Sequence, residues 1–239
     1  MKIKKILIHK GRKFFWKEGD LHTEFGVVKE EEIKSKKIAN SNKDNEFLII
    51  EASFQDNLEK MKRGPQTMSP KDIGEIITRT GMNKNSKVLE IGSGSGALTM
   101  YMARIAKEII SYDIREDHTK IVKRNLKDFE IENVKLITQD ASTEIEENDF
   151  DIATIDVKEP WTVLKNVSEA LKSGGYIVSY SPSLTQSNQV IKEAKQNPDL
   201  IVLDTIETIE RKWDITKLIL HPQIRMIGHT AFLTFIRKI

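Results

Sequence analysis

The chain has no cysteine in its 239 residues. That excludes a disulfide framework, a Cys-based zinc site, an Fe–S cluster and a cysteine nucleophile. It fits a cytoplasmic protein. No apolar run approaches the ~18–20 residues needed to span a bilayer, so no membrane partner is expected. The start, Met1-Lys-Ile-Lys-Lys, lacks the apolar stretch and small-residue cleavage site of a secretory signal. Charge of one sign is lacking too: 38 Lys and Arg face 36 Asp and Glu, a net +2. The whole chain is therefore not a polybasic nucleic-acid tail.

The charges divide unevenly. Residues 1–65 hold 15 basic and 11 acidic side chains, whereas 66–239 hold 23 and 25. The first part carries short β-like runs at Lys5–His9, Phe14–Trp16, Phe25–Val28 and Phe47–Ile50, as in a small β-domain. The almost wholly polar stretch from Glu30 to Asn45 is expected to be an exposed loop. From Ser69-Pro70 onward the rhythm changes. Strand-like runs at Lys87–Ile91, Glu108–Tyr112, Val134–Thr138, Phe150–Asp156 and Tyr176–Tyr180 alternate with helical stretches. These are Ala97–Lys107, Asp117–Phe129, Thr162–Leu171 and Leu184–Gln196. Alternation of this kind predicts a mostly parallel sheet. Strands at Leu200–Thr208 and Thr230–Arg237 have no obvious helix between them, which predicts an antiparallel C-terminal hairpin.

The segment Val88-Leu-Glu-Ile-Gly-Ser-Gly-Ser-Gly-Ala-Leu-Thr99 carries the most chemical information. Gly92, Gly94 and Gly96 follow an apolar strand and open a helix, so a ligand can approach backbone N–H groups with no Cβ in the way. The spacing also satisfies the dinucleotide fingerprint, so the loop alone does not choose a cofactor. Three acids narrow the choice. Glu90 stands directly before the glycines, where it would repel a pyrophosphate but suit a cationic sulfonium. Asp113 ends the second strand, placed for a ribose diol; a plain surface carboxylate is its bland reading. Asp140 follows the third strand, placed for an adenine amino group or, more simply, as a helix cap. As a set these residues resemble the cofactor site of a class I S-adenosylmethionine-dependent methyltransferase.

A narrower resemblance spans nearly the whole chain. Arg63-Gly-Pro-Gln-Thr-Met-Ser-Pro-Lys-Asp72, Asp156-Val-Lys-Glu-Pro-Trp161, Ser179-Tyr-Ser-Pro182, Glu210-Arg-Lys-Trp213 and His221 through Thr230 are similar to segments of the tRNA (adenine-N1)-methyltransferases that act on T-loop position 58. His22-Thr23 and Phe25-Gly26 match a pattern in that family's N-terminal β-domain. Two positions depart from it. A tyrosine commonly precedes Pro-Lys-Asp, where this chain has Ser69. A proline commonly stands two places after the strand-end Asp, where this chain has Lys158.

The resemblance implies a Rossmann-like catalytic domain over 66–239, with a seven-stranded sheet, and a basic β-domain over 1–65 that contacts tRNA. It implies S-adenosylmethionine held by Gln66, Glu90, Gly92, Ser93, Gly94, Ser95, Gly96, Ala97, Leu98, Asp113, His118, Asp140, Ala141 and Asp156, with no metal. It implies a catalytic role for Asp156, substrate contacts at Trp161, Tyr180, Gln186 and His229, methylation at position 58 with 57 as a further target, and a homotetramer. His229 also reads as a hydrogen-bonded core histidine, and Trp161 and Tyr180 as core aromatics. A methyltransferase of a small molecule, such as a corrin-ring intermediate, shares Glu90, the glycines and Asp113 and stays as the alternative. A nicotinamide-dependent reductase fits less well, because Tyr101 and Tyr112 have no Lys four residues on. A non-catalytic partner subunit would not need the intact glycines and acids.

Overall fold

The structure, a computed structural model, describes residues 2–62, 64, 67–215 and 218–239. The chain gathers into two compact units, Met1–Lys62 with Asp128–Glu130, and Arg63–Lys127 with Ile131–Ile239.

The smaller unit holds β1 (Lys5–His9), β2 (Arg12–Trp16), β3 (Leu21–Thr23), β4 (Gly26–Val28), α1 (Glu30–Ser35), β5 (Ile38–Asn40), β6 (Glu46–Glu51) and α2 (Phe54–Glu59). Four strands form an antiparallel sheet in the order β2-β1-β6-β5, and β3 and β4 pair as a separate hairpin. Alternate residues bury Leu7, Trp16, Phe47 and Ile49 on one face, as a sheet with one covered side requires.

The stretch from Glu30 to Asn45 is not the exposed loop its polarity suggests. It supplies α1 and β5. Ile33 is fully buried, and so is Ala39, which pairs with Phe47. Three glutamates open α1 and Lys34 closes it, a charge order that suits the helix dipole. Pairs four residues apart, Lys34–Glu30 and Lys36–Glu32, line its outer side. Asp20 receives the Glu30 N–H and so satisfies one of the free donors at the helix start. One buried isoleucine was too small an apolar signal to reveal the helix.

The larger unit adds α3 (Pro70–Thr80), β7 (Lys87–Ile91), α4 (Ala97–Ala103), β8 (Glu108–Asp113), α5 (Glu116–Phe129), β9 (Val134–Thr138), β10 (Phe150–Ile155), α6 (Leu164–Ala170), β11 (Leu171–Ser181), α7 (Leu184–Gln196), β12 (Leu200–Ile206), β13 (Trp213–Asp214), β14 (His221–Pro222) and β15 (Phe232–Lys238). Only the last residues of α5 fall in the smaller unit. Seven strands form one sheet in the order β12-β15-β11-β10-β7-β8-β9. β7 to β11 run parallel, and β15 lies antiparallel between β11 and β12. The expected C-terminal antiparallel pairing is present, with the small β13–β14 ladder between its two strands.

Ile73 and Ile76 of α3 and Leu98 and Met102 of α4 pack with Val88 and Ile109. Leu164 and Val167 of α6 and Val190 and Ala194 of α7 pack with Leu89 and Ala153. Neighbouring residues of one strand thus feed two cores, so the sheet is covered on both faces. α4 stops at Ala103, short of the expected Lys107, and the Lys107 N–H turns to the Ser86 carbonyl to bring the chain into β8. Pro160 opens a 3₁₀ turn, Pro160–Thr162, before α6, in place of the single helix expected from Thr162.

A carboxylate braces this frame from inside. Glu90, near the end of β7, is 1% exposed. Thr99 of α4 donates to it at 2.7 Å and Ser111 of β8 at 2.5 Å. The two hydroxyls compensate part of the desolvation of a buried charge. Burial nevertheless pushes its pKa up to about 7, and the nearby Asp156 and Asp113 push the same way.

Two outcomes follow from these placements. Ile33→Ala should lower stability by about 2–4 kcal/mol in urea denaturation, whereas a residue in an exposed loop would stay within about 0.5 kcal/mol. For Glu90, a folded-state pKa above the ordinary 4.5 means that the folded chain holds the proton more tightly. Its contribution to stability is therefore full below about pH 4.5 and is lost as pH rises through about 7. Glu90→Gln should flatten that dependence, and equal pH slopes for the two proteins would show that the carboxyl titrates normally.

Candidate active site

In the strand order, β7 leads to β8 and β9 on one side, and the chain then crosses back to β10 on the other. Such a switch point opens a crevice beyond the carboxyl ends of the two central strands. Gly92 follows β7 there, and Asp156 follows β10, its N–H bonded to the Ile91 carbonyl at 2.8 Å. A Cβ on Gly92 would lie 2.1 Å from the Asp156 carbonyl oxygen. Gly92 also has φ +93°, a left-handed value that side chains resist.

The turn continues with Gly94 and Gly96 in the same half of conformational space, at φ 53° and 82°. Its glycine amides are all engaged. Gly92 donates to the Tyr112 carbonyl at 2.7 Å, Gly94 to Asp113 Oδ2 at 3.1 Å and Gly96 to the Ser93 carbonyl at 2.7 Å. Ala97 and Leu98 begin α4. Ser95 Oγ accepts the Gly64 N–H, and the Ser95 carbonyl accepts from Asn125.

Asp113 gathers the loop. Its Oδ2 also meets Ser93 Oγ and His118 Nδ1, both at 3.1 Å, while Oδ1 accepts the Arg115 N–H at 2.9 Å. Four contacts nearly fill a carboxylate's acceptor sites. A diol at Asp113 would therefore have to displace His118 or Ser93, and His118, from helix α5, is the partner that can swing aside.

Asp113, Asp140, Ala141 and Gly92 line one cleft together with Ile114, Val157 and Val163. Asp140 forms a local turn, accepting the Ser142 N–H at 2.9 Å, and caps no helix. The lining mixes apolar side chains with the carboxylates of Asp113 and Asp140. That combination suits an adenosine group, with a flat apolar base and polar edges. Ile114, Val157, Lys158 and Glu159 were not singled out from the sequence; their position directly after the strand ends was the available signal.

Asp156 accepts no hydrogen bond from any described residue. Part of its surface is exposed to solvent, yet protein crowds it on most sides. This crowding raises its pKa to about 6, with a further push from Asp113. Water reaches the carboxyl in the open crevice, so the shift applies most fully when a ligand closes it.

The residues expected to hold a substrate fall into different places. Tyr180, at the end of β11, is half-buried. Burial pushes its pKa up to about 12, helped by the charges of Asp72 and Asp156, and its hydroxyl is bonded to Thr230. Thr230 gives its own proton to Asp72 at 2.7 Å, and its contact with the Tyr180 hydroxyl pulls the tyrosine pKa the other way, against the burial. Lys71 Nζ reaches both Asp72 and Thr230 at 2.6 Å, and Ser69 Oγ meets Asp72 at 2.8 Å. This fully buried Asp72 network belongs to the Pro70-Lys-Asp motif, whose structural role was not legible from the residues alone.

His229 has both ring nitrogens engaged, by Glu207 at 2.5 Å and the Pro182 carbonyl at 2.8 Å. The two acceptors raise its pKa, and the ring clasps two loops. Gln186 donates to the Lys158 carbonyl at 2.9 Å and so fixes the loop after Asp156. Trp161 packs half-buried against the hydrophobic core. Glu90 faces the interior beneath the glycine turn. Gln66 lies outside the described residues. Among the described residues no group of three His, Asp or Glu is arranged to hold a metal, and no helix is long and apolar enough to cross a membrane.

Comparison with known proteins places this geometry. A family described as a methyltransferase domain matches residues 82–222. The tRNA (adenine(57)-N(1)/adenine(58)-N(1))-methyltransferase TrmI of Methanocaldococcus jannaschii is 32% identical, over 98% of this chain and 94% of its own length. The crystal structure of the tRNA (m1A58) methyltransferase TrmI from Aquifex aeolicus superposes with a TM-score of 0.82 at 26% identity, covering 100% of this chain and 98% of the other. A Thermotoga maritima structure described as a SAM-dependent O-methyltransferase gives a TM-score of 0.89 at 27% identity, covering 99% and 93%. The relatedness runs the length of the chain, so the chain belongs to the tRNA (adenine-N1)-methyltransferase family.

Proposed function

We propose that this protein transfers a methyl group from S-adenosylmethionine to N1 of an adenine in tRNA, at T-loop position 58, with 57 as the alternative or additional target. The observation that carries this reading is Asp156, its backbone packed against Gly92 at the switch point and its carboxyl unpaired among the described residues, in the sheet of a family member. Asp113 and Asp140 would hold the ribose and adenine of the cofactor, and the acidic crevice suits its positive charge. When bound, the cofactor supplies a methyl on a sulfonium sulfur.

N1 of adenine carries its own lone pair, so no strong base is needed. What the chain must supply is placement and charge. The Asp156 carboxylate accepts a hydrogen bond from the adenine N6 amino group and offsets the positive charge that grows on the ring. With a pKa of about 6 it is mostly ionised at neutral pH. Tyr180 stays neutral and presents an aromatic face with its hydroxyl tied back to Thr230. Gln186 and His229 position loops and do not touch the base. A stacked T-loop base must be flipped out, at a cost of a few kcal/mol. The basic N-terminal unit suits contact with RNA phosphates.

The same reading makes the protein a cytoplasmic homotetramer. Ile209, Ile215, Leu218, Ile219 and Ile224, all well exposed in the segment between β12 and β15, support assembly, since apolar side chains are costly to leave in water.

Incubation with unmodified tRNA and labelled cofactor, followed by nucleoside mapping, tests the activity; label on a hydroxyl or on another base would overturn it. Asp156→Asn should slow single-turnover methylation on the order of 10²–10³-fold, with cofactor affinity falling by a much smaller factor. The wild-type rate should fall as pH drops through about 6, where the carboxylate takes up its proton. A variant rate within about threefold of wild type would leave Asp156 with a structural role only. Asp113→Ala should weaken cofactor binding on the order of tenfold to a hundredfold, the worth of a charge-assisted hydrogen bond, with tRNA binding little changed; calorimetry separates the two.

A further inference from the structure

A second cleft, of about 320 Å³, lies beside the start of α3. Its walls include Ser69, Lys71, Lys212, Arg225, Met226 and Ile227. We propose that it is a nucleotide subsite, which takes the tRNA nucleotide next to the target adenine, its phosphate on Arg225 and its base on Met226 and Ile227. This rests on the methyltransferase reading above and extends it to how the RNA is held.

Continuity with the crevice is the first argument. Lys71 and Thr230 form part of the wall and are bonded to the buried Asp72, and Thr230 is bonded to Tyr180. Tyr180 in turn feels the charge of Asp156. A set of side-chain contacts thus runs from the cleft, through Lys71, Asp72 and Thr230, to Tyr180 near the end of β11.

Charge is the second. Lys71 is committed to Asp72 and is nearly buried, at 12% side-chain exposure. Lys212 lies 3.3 Å from Glu210, in an exposed pair of small worth. Arg225 is exposed and has no partner among the described residues. The balance leaves one free guanidinium at the cleft, in the geometry that a phosphate takes best.

The third argument is the apolar surface beside that guanidinium. Met226 is 45% exposed and Ile227 72%. Flipping an adenine out of a stacked loop strips a face of its neighbour as well. An apolar platform that receives the uncovered base offsets part of that cost. Ser69 at the cleft wall is a small side chain, and its hydroxyl turns inward to Asp72 at 2.8 Å.

Binding of unmodified tRNA to wild type, Arg225→Ala and Arg225→Lys over a series of salt concentrations tests this. Loss of one phosphate contact should make the slope of log affinity against log salt shallower by about 0.7–0.9. The KM for tRNA should rise about five- to tenfold in Arg225→Ala, with turnover and cofactor affinity within about twofold, and Arg225→Lys should restore most of the slope. An unchanged slope and KM would overturn the subsite. So would a change in oligomeric mass by light scattering in Arg225→Ala, because the cleft would then be a contact between copies of the chain. Should wild type bind tRNA and methylate none of its adenines, the activity reading falls, and the salt slope still decides whether Arg225 holds a phosphate.

Discussion

The site depends on how closely two strand ends can approach. Gly92 and Asp156 end neighbouring parallel strands, and the space between their backbones admits no side chain: a methyl at Gly92 would lie 2.1 Å from a carbonyl oxygen. Because this contact is bare, the glycine turn and the acid of the next strand open into one crevice. Everything else serves to hold the two ends there. Glu90 sits one residue before Ile91 and ties β7 to α4 and β8 from below. Asp113 ties the turn to the neighbouring strand end from above. Gln186 reaches back across 28 positions to the loop behind Asp156.

The same closeness crowds negative charge. Asp113 and Asp156 each raise the proton affinity of a carboxyl near them, and the crevice holds no described cation that pairs with Asp156. A positively charged ligand would relieve this repulsion directly, and a pyrophosphate would add to it. The acids thus discriminate where the glycine spacing, shared by nucleotide-binding folds, does not.

Those parts of the site that sit at strand ends were legible in the sequence. A parallel sheet with a switch point brings successive strand ends together, so Gly92, Asp113, Asp140 and Asp156 could be grouped without coordinates. Direction of side chains was not legible. Glu90 was expected to face a cationic ligand and instead points into the core. Trp161, Gln186 and His229 are aromatic or polar as a substrate pocket requires, yet tertiary contacts turn them to the core, to Lys158 and to Pro182. In the smaller unit, α1 escaped notice because a single buried isoleucine carries its packing; the evidence for it lay in charge spacing, Glu30 to Lys34 and Glu32 to Lys36.

The three glycine amides of the turn find their acceptors within the protein itself, at Tyr112, Asp113 and Ser93. The turn is therefore shaped before anything enters the crevice. Ordering a loose loop costs roughly 1–2 kcal/mol per residue, and a ligand that docks here is spared that cost. It also follows that these amides, each bonded within the protein, should exchange slowly with deuterium.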